Sequence, residues 1–300
     1  MGQFDVRVFL THCYVPSLIQ MSSDVIIEPF WGIGVIDVAD LIDRYLEEVL
    51  KQLLQPVEKK VVTSNKIRDE GASAVITFSS IEASNHVEAI GKTKSSLLLC
   101  RDVLALRQLQ RGYVAGFLSM QTDVSPVHLY AQIRRPYPIL RKVQNLPIVE
   151  TEGDIFARIA DKAQKHSTLR VYLSLYADAV AYSDTLVSDI SLETRLMKTW
   201  TLLEAMATSE QGKKKQKVKS LFKRYQISTY PDYRNHKGQD LLDIAYKWRN
   251  IIVHCGGCSA TARPSDVRFC HTFRSEFEHI LEDLNQSCRG LLHAFAHSLP

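Results

Sequence analysis

From about residue 153 onward, apolar residues recur only at helical spacing, and no stretch alternates as a strand does. Six segments read as helices: 153–164, 168–187, 191–208, 214–226, 239–254 and about 264–297. Helices with no sheet to lie on can bury their apolar stripes only against one another, so this half is constrained to a helical bundle. The first half is mixed. Residues 4–10, 25–27, 60–63, 74–78, 113–119 and 127–133 read as strands, and 36–54 and 85–110 as helices, the first stopping before Pro56. Pro136, Pro138 and Pro147 mark an irregular connection. The expectation is an α+β domain over 1–152 followed by an all-α bundle over 153–300.

Composition agrees with a packed chain. Apolar residues are 45% and charged residues 23% of 300, enough to form a core. The net charge of +4 permits an anionic partner without demanding one. Six cysteines, at 13, 100, 255, 258, 270 and 288, do not make a disulfide scaffold. The opening M-G-Q-F-D-V-R-V-F-L has no basic start and apolar core, and Val6 breaks the myristoylation pattern. No run of about 18 apolar residues occurs. These readings predict a cytoplasmic chain with reduced thiols and no membrane partner.

Within the bundle half, 191–208 opens on possible caps at Ser188, Asp189 and Ser191. It carries one stripe of Leu192, Leu196, Trp200, Leu203 and Ala207. Glu204 sits about 80° from the centre of that stripe, where a carboxylate is either half-buried or a solvated flank. In the last segment Phe277, Leu284 and Leu291 repeat by seven, as do Leu281, Cys288 and Phe295. Such a seam packs inside the bundle or pairs two copies. In 239–254, Leu241, Ile244, Ala245, Trp248, Ile251 and Ile252 form the stripe, with Arg249 beside it.

That segment ends in K-W-R-N-I-I-V-H-C-G-G, Lys247 to Gly257. Arg249 keeps its charge in any protein environment, and His254 is the side chain suited to moving a proton near neutral pH. Five residues apart, they lie about 140° apart around a straight helix. They converge only near the helix end or across a two-fold axis. Gly256 and Gly257 supply the stop, and the helix dipole favours a charged histidine in the last turn. The plainer reading is a capping histidine and an arginine paired with a carboxylate.

R-N-I-I-V-H-C-G-G resembles the signature of the HEPN superfamily, and R-L-M-K-T-W-T-L-L-E-A-M-A (195–207) resembles the preceding helix of its ApeA-like bacterial branch. The order of helices is similar over about 165–300. The resemblance implies an all-α domain that dimerises around one groove faced by Arg249 and His254 of both copies. Many members are metal-independent endoribonucleases acting as toxins or in antiviral and abortive-infection defence. In that setting His254 transfers protons, Arg249 holds the phosphate, Asn250 orients its neighbours and Glu204 fixes the tilt of Arg249. The implied partners are RNA, a second copy of the chain, and a trigger or regulator at the N-terminal domain; no cofactor is implied. One departure is Gly256, where some members carry a tyrosine modified by a partner enzyme. A non-catalytic HEPN-fold interaction or RNA-binding module is the alternative.

Two further features lie nearby. Segment 213–224, K-K-K-Q-K-V-K-S-L-F-K-R, contains Lys213, Lys214, Lys215, Lys217, Lys219, Lys223 and Arg224. It reads as a phosphate-tracking surface or as an ordinary solvated helix. Cys255 and Cys258 form C-G-G-C, with Cys270 and His271 beyond. The later pair lacks zinc spacing of its own, so free thiols and no metal are expected.

Overall fold

A computed structural model of the chain describes residues 1–11, 15, 18–30, 73–108, 113–124, 128–133, 152–180, 188–255 and 274–300. The chain divides into two compact units, Met1–Leu104 with Arg111–Asp161, and Ala105–Gln110 with Lys162–Pro300. The first is built on an antiparallel sheet and the second is helical. Among the described residues no helix is long and apolar enough to cross a membrane.

The sheet has six strands: β1 (Gly2–Thr11), β2 (Ile19–Ser22), β3 (Val25–Phe30), β4 (Ser73–Ala83), β5 (Tyr113–Gln121) and β6 (His128–Ile133). Their order is β2-β3-β4-β1-β5-β6, every pair antiparallel. Phe4, Val6, Val8 and Leu10 of the central β1 are all buried at alternate positions, the period-two pattern of a covered face. The strands expected at 4–10, 25–27, 74–78, 113–119 and 127–133 are present, mostly longer. β2 was not expected: four residues are too few for alternation to register, although Ile19 and Met21 are buried around exposed Gln20. The helix expected over 36–54 and the strand over 60–63 lie outside the described residues.

Helix α1 (His86–Gln108) follows β4. Asn85 Oδ1 accepts the Glu88 N–H at 3.0 Å, and Glu88 in turn accepts the Ser84 N–H at 2.9 Å, which sets the helix start. The first residue of α1 is tied to the sheet. His86 Nδ1 lies 3.0 Å from Ser119 Oγ on β5, and its ring meets Phe4 of β1 edge-on.

Helix α2 (Glu152–Lys165) passes from the first unit into the second at Lys162, and the helical unit continues with α3 (Ser167–Val180), α4 (Ser188–Met206), α5 (Lys214–Arg224), α6 (Leu241–Cys255) and α7 (Arg274–Ser298). The expected helices are recovered with shifted ends; residues 181–187 and 264–273 of two of them lie outside the described residues. In α4 and the turn after it, Leu196, Trp200, Leu203 and Ala207 are buried as the stripe predicts, together with Thr199, Leu202 and Met206. α4 packs on α3, α5, α6 and α7 and is the hub of the unit. Each large side chain buried in this way contributes roughly 1.5–3 kcal/mol.

The seam of α7 is covered within its own chain. Phe277, Ile280, Leu281, Leu284, Cys288, Leu291 and Leu292 are buried, and α7 packs on α3, α4 and α6. Trp248 of α6 meets Phe277 with ring centres 4.9 Å apart. One polar pair interrupts the hydrocarbon: Thr199 Oγ1 of α4 donates to Asn285 Oδ1 of α7 at 2.9 Å, both residues buried. At the end of α7, Lys162 Nζ donates to the carbonyls of Ala296 (3.0 Å) and Leu299 (2.7 Å), supplying a cation where the helix dipole is negative.

Candidate functional site

The start of α6 is fixed by two aspartates. Asp243 N–H donates to Asp240 Oδ1 at 2.8 Å, and Asp240 N–H donates to Asp243 Oδ2 at 3.2 Å, a reciprocal cap. Two lysines of α5 close over these carboxylates. Lys215 Nζ is 2.9 Å from Asp243, and Lys219 Nζ is 2.9 Å from Asp240 and 2.8 Å from Asp243. Burial opposes ionisation of Asp243, but the hydrogen bonds from Lys215, Lys219 and the Asp240 backbone outweigh it, and the carboxyl ionises well below the usual range. A depressed folded pKa contributes stability above the unfolded value near 4, and that stability is lost as pH falls through the folded pKa. Asp243→Asn is therefore expected to cost about 1–3 kcal/mol at pH 7. Its deficit against wild type should shrink progressively below about pH 4. Urea melts at pH 7 and pH 3 measure both; equal deficits at the two values contradict the ionic origin.

One turn beyond the cap, Tyr246 packs on Trp200 with ring centres 5.3 Å apart. Arg249 comes next. Its side chain is only 16% exposed. Nη1 donates to Asn250 Oδ1 at 3.1 Å, Nη2 lies 3.9 Å from Glu204 Oε1, and the shielded Nε has no hydrogen-bond partner among the described residues. Glu204 is 29% exposed, the half-buried margin position that the helical wheel allows. Its Oε1 accepts the Trp200 indole N–H at 3.0 Å, and its Oε2 is 3.7 Å from Lys214 Nζ at the start of α5. The structure thus brings together Arg249, Asn250, Glu204 and Lys214 from three helices.

His254 lies in the last turn of α6, and its side chain is outside the described residues. α6 runs unbroken from Leu241 to Cys255, so positions 249 and 254 stay about 140° apart around one axis. The expected stop at Gly256–Gly257 is outside the described residues. The α6 stripe is shorter than its sequence pattern. Leu241, Ile244, Ala245 and Trp248 are buried, whereas Ile251 and Ile252 are half-buried and Val253 is 44% exposed. The helix emerges from the bundle as it passes Arg249.

In the basic segment, three of the seven cations meet carboxylates at contact distance, Lys215, Lys219 and, with Glu210 at 2.6 Å, Arg224, and Lys214 faces Glu204 at 3.7 Å. The reason is amphipathic. Val218, Leu221 and Phe222 are buried, which turns Lys215 and Lys219 toward the acidic start of α6. Lys213, Lys217 and Lys223 have no such pair among the described residues. Sequence reading took Trp200 as core alone; its place four residues before Glu204, one turn back on the same helix, is the signal for the indole–carboxylate bond.

No group of three or more His, Cys, Asp or Glu side chains among the described residues is placed to hold a metal. Cys258, Cys270 and His271 lie outside the described residues, as does the Cys255 side chain. Cys100 and Cys288 are buried free thiols, and burial pushes that of Cys100 up to about 12. Comparison with known proteins finds nothing similar: no family model, no curated protein and no solved structure matches the chain.

Proposed function

We propose that this chain is a metal-independent endoribonuclease of HEPN type, residues 153–300 being the HEPN-like domain, dimeric and cytoplasmic, serving as a toxin or a defence effector. The observation that carries this reading is the state of Arg249. Its guanidinium is held in place by Asn250 and faces Glu204 only at 3.9 Å, so it is positioned without being consumed by a close ion pair. Arg–carboxylate pairs are frequently short and bidentate, and the Arg249–Glu204 contact is longer than a hydrogen bond.

In the reaction proposed, the ribose 2′-oxygen attacks the adjacent phosphorus while the bond from phosphorus to the 5′-oxygen breaks. Neutral His254 of one protomer takes the 2′-hydroxyl proton, and protonated His254 of the other delivers a proton to the leaving oxygen. Arg249 holds the phosphate and offsets the charge that accumulates on it. The products are a 2′,3′-cyclic phosphate and a 5′-hydroxyl end. The unbroken course of α6, which sets positions 249 and 254 about 140° apart, supports a site completed by a second copy or at the helix end. The N-terminal sheet domain is assigned a sensing or gating role.

The test is direct. The purified full chain, in EDTA, is expected to cut single-stranded RNA to cyclic-phosphate ends and to leave the matching DNA intact, because DNA lacks the attacking hydroxyl. RNA that is bound but left uncut, both in vitro and in expressing cells, would support the alternative, a non-catalytic RNA-binding module.

A further inference from the structure

We infer that Glu204 is a displaceable internal occupant of a two-cation phosphate site, and that Lys214 is the second cation of that site beside Arg249. The inference rests on the ribonuclease reading for its substrate, and it changes the role of Glu204 from a fixed support of Arg249 to a carboxylate that gives way to RNA.

Three elements converge on this one carboxylate. α4 supplies Glu204 itself and the Trp200 indole N–H at 3.0 Å, α6 supplies Arg249, and α5 supplies Lys214. The carboxylate is anchored by its own helix through the indole. The two cations are not anchored to it. Lys214 stands off at 3.7 Å and Arg249 at 3.9 Å, beyond hydrogen-bond contact. Other ion pairs of the same unit are shorter: Lys215 and Lys219 meet Asp240 and Asp243 at 2.8–2.9 Å, Arg224 meets Glu210 at 2.6 Å, and Arg234 meets Asp283 at 3.4 Å.

Both cations have donors to spare. Among the described residues, Nη1 alone of the Arg249 nitrogens is hydrogen-bonded, and Nε is unpartnered. Lys214 is 61% exposed, on a flexible stem that can swing. A phosphate, with several oxygens around one centre, can receive contact hydrogen bonds from both groups at once. As it does so it faces the Glu204 charge, which opposes it. In the absence of RNA that same charge holds Lys214 and Arg249 near the site, so Glu204 both keeps the cations in place and sets a threshold for binding.

The experiment measures binding of a single-stranded 2′-O-methyl oligoribonucleotide, which cannot be cleaved, to the full chain by fluorescence anisotropy across a salt series. Glu204→Gln keeps an oxygen for the Trp200 indole and removes the charge; it is expected to tighten binding about five- to tenfold. It should also lower KM for unmodified RNA without raising kcat. Glu204→Asp restores the charge and is expected to return Kd toward wild type. Lys214→Gln, at an exposed position that does not carry the fold, is expected to weaken binding about five- to tenfold and to reduce the salt slope by about 0.7, one single-strand phosphate contact. Glu204→Gln that binds no tighter while melting like wild type overturns the inference, as does Lys214→Gln with an unchanged salt slope. If these shifts appear but wild type cuts no RNA, the ribonuclease reading fails and the anion site stands. If wild type cuts RNA and neither variant moves Kd, the anion site alone fails.

Discussion

Replacing His254 by alanine is expected to lower single-turnover RNA cleavage by roughly 10²- to 10⁴-fold, the range for loss of a positioned proton-transfer group, with little change in binding of uncleavable RNA. The contrast with Arg249 is the informative part. Arg249→Ala removes a group that binds the phosphate as well as stabilising the transition state. It is expected to lose about 10²–10³-fold in rate and to weaken binding as well. Arg249→Lys should not restore activity, because a point charge cannot reproduce a planar guanidinium held by Asn250. The two variants separate on a plot of rate against Kd: the histidine variant falls in rate alone, the arginine variant in both. His254→Ala cleaving at the wild-type rate removes the histidine from the mechanism. Thermal melts control for folding; His254 sits in the last turn of α6, downstream of the residues that pack the helix onto the bundle.

The largest stability effect is expected at Trp200. It is 1% exposed on the helix that packs against four others, meets the Tyr246 ring at a tilt, and donates its indole N–H to Glu204. Trp200→Ala opens a cavity at the hub and is expected to cost about 3–5 kcal/mol. Trp200→Phe keeps most of the ring contact and loses the donor; its cost should be less than half of that, mostly the missing hydrogen bond of about 1 kcal/mol. Urea unfolding of the two variants, monitored by circular dichroism, gives both numbers. A cost for Trp200→Ala below about 1 kcal/mol would show that α4 does not organise the unit.

Much of this arrangement is legible in the amino-acid sequence. The single stripe of α4 identified its buried face and put Glu204 on the margin, where it is found. The α7 seam was equally clear as a pattern, but its partner was not: a heptad-like repeat has the same spacing whether it faces its own bundle or a second copy. Here it faces α3, α4 and α6. The basic helix shows a different limit. Its lysines look free in sequence because the aspartates that engage Lys215 and Lys219 come more than twenty residues later and meet them only once α5 and α6 pack. The α6 stripe reads too long because an apolar residue marks where a helix can be buried, and coverage of Ile251 and Ile252 depends on where the neighbouring helices end. β2 was missed because four residues carry too little periodicity.

Thr199 and Asn285 were also illegible as core, since each is an ordinary polar residue on an apolar helix. Their hydrogen bond fixes more than two side chains. A heptad-like apolar seam such as that of α7 tolerates several alignments against α4 at similar hydrophobic gain. Sliding α7 by a residue or a turn would strand the Asn285 amide in hydrocarbon, at about 1–3 kcal/mol, while the Thr199 hydroxyl keeps the Arg195 carbonyl of its own helix. One buried polar pair therefore acts as a registration mark: it selects a single axial setting of the terminal helix, and with it the placement of Phe277 against Trp248.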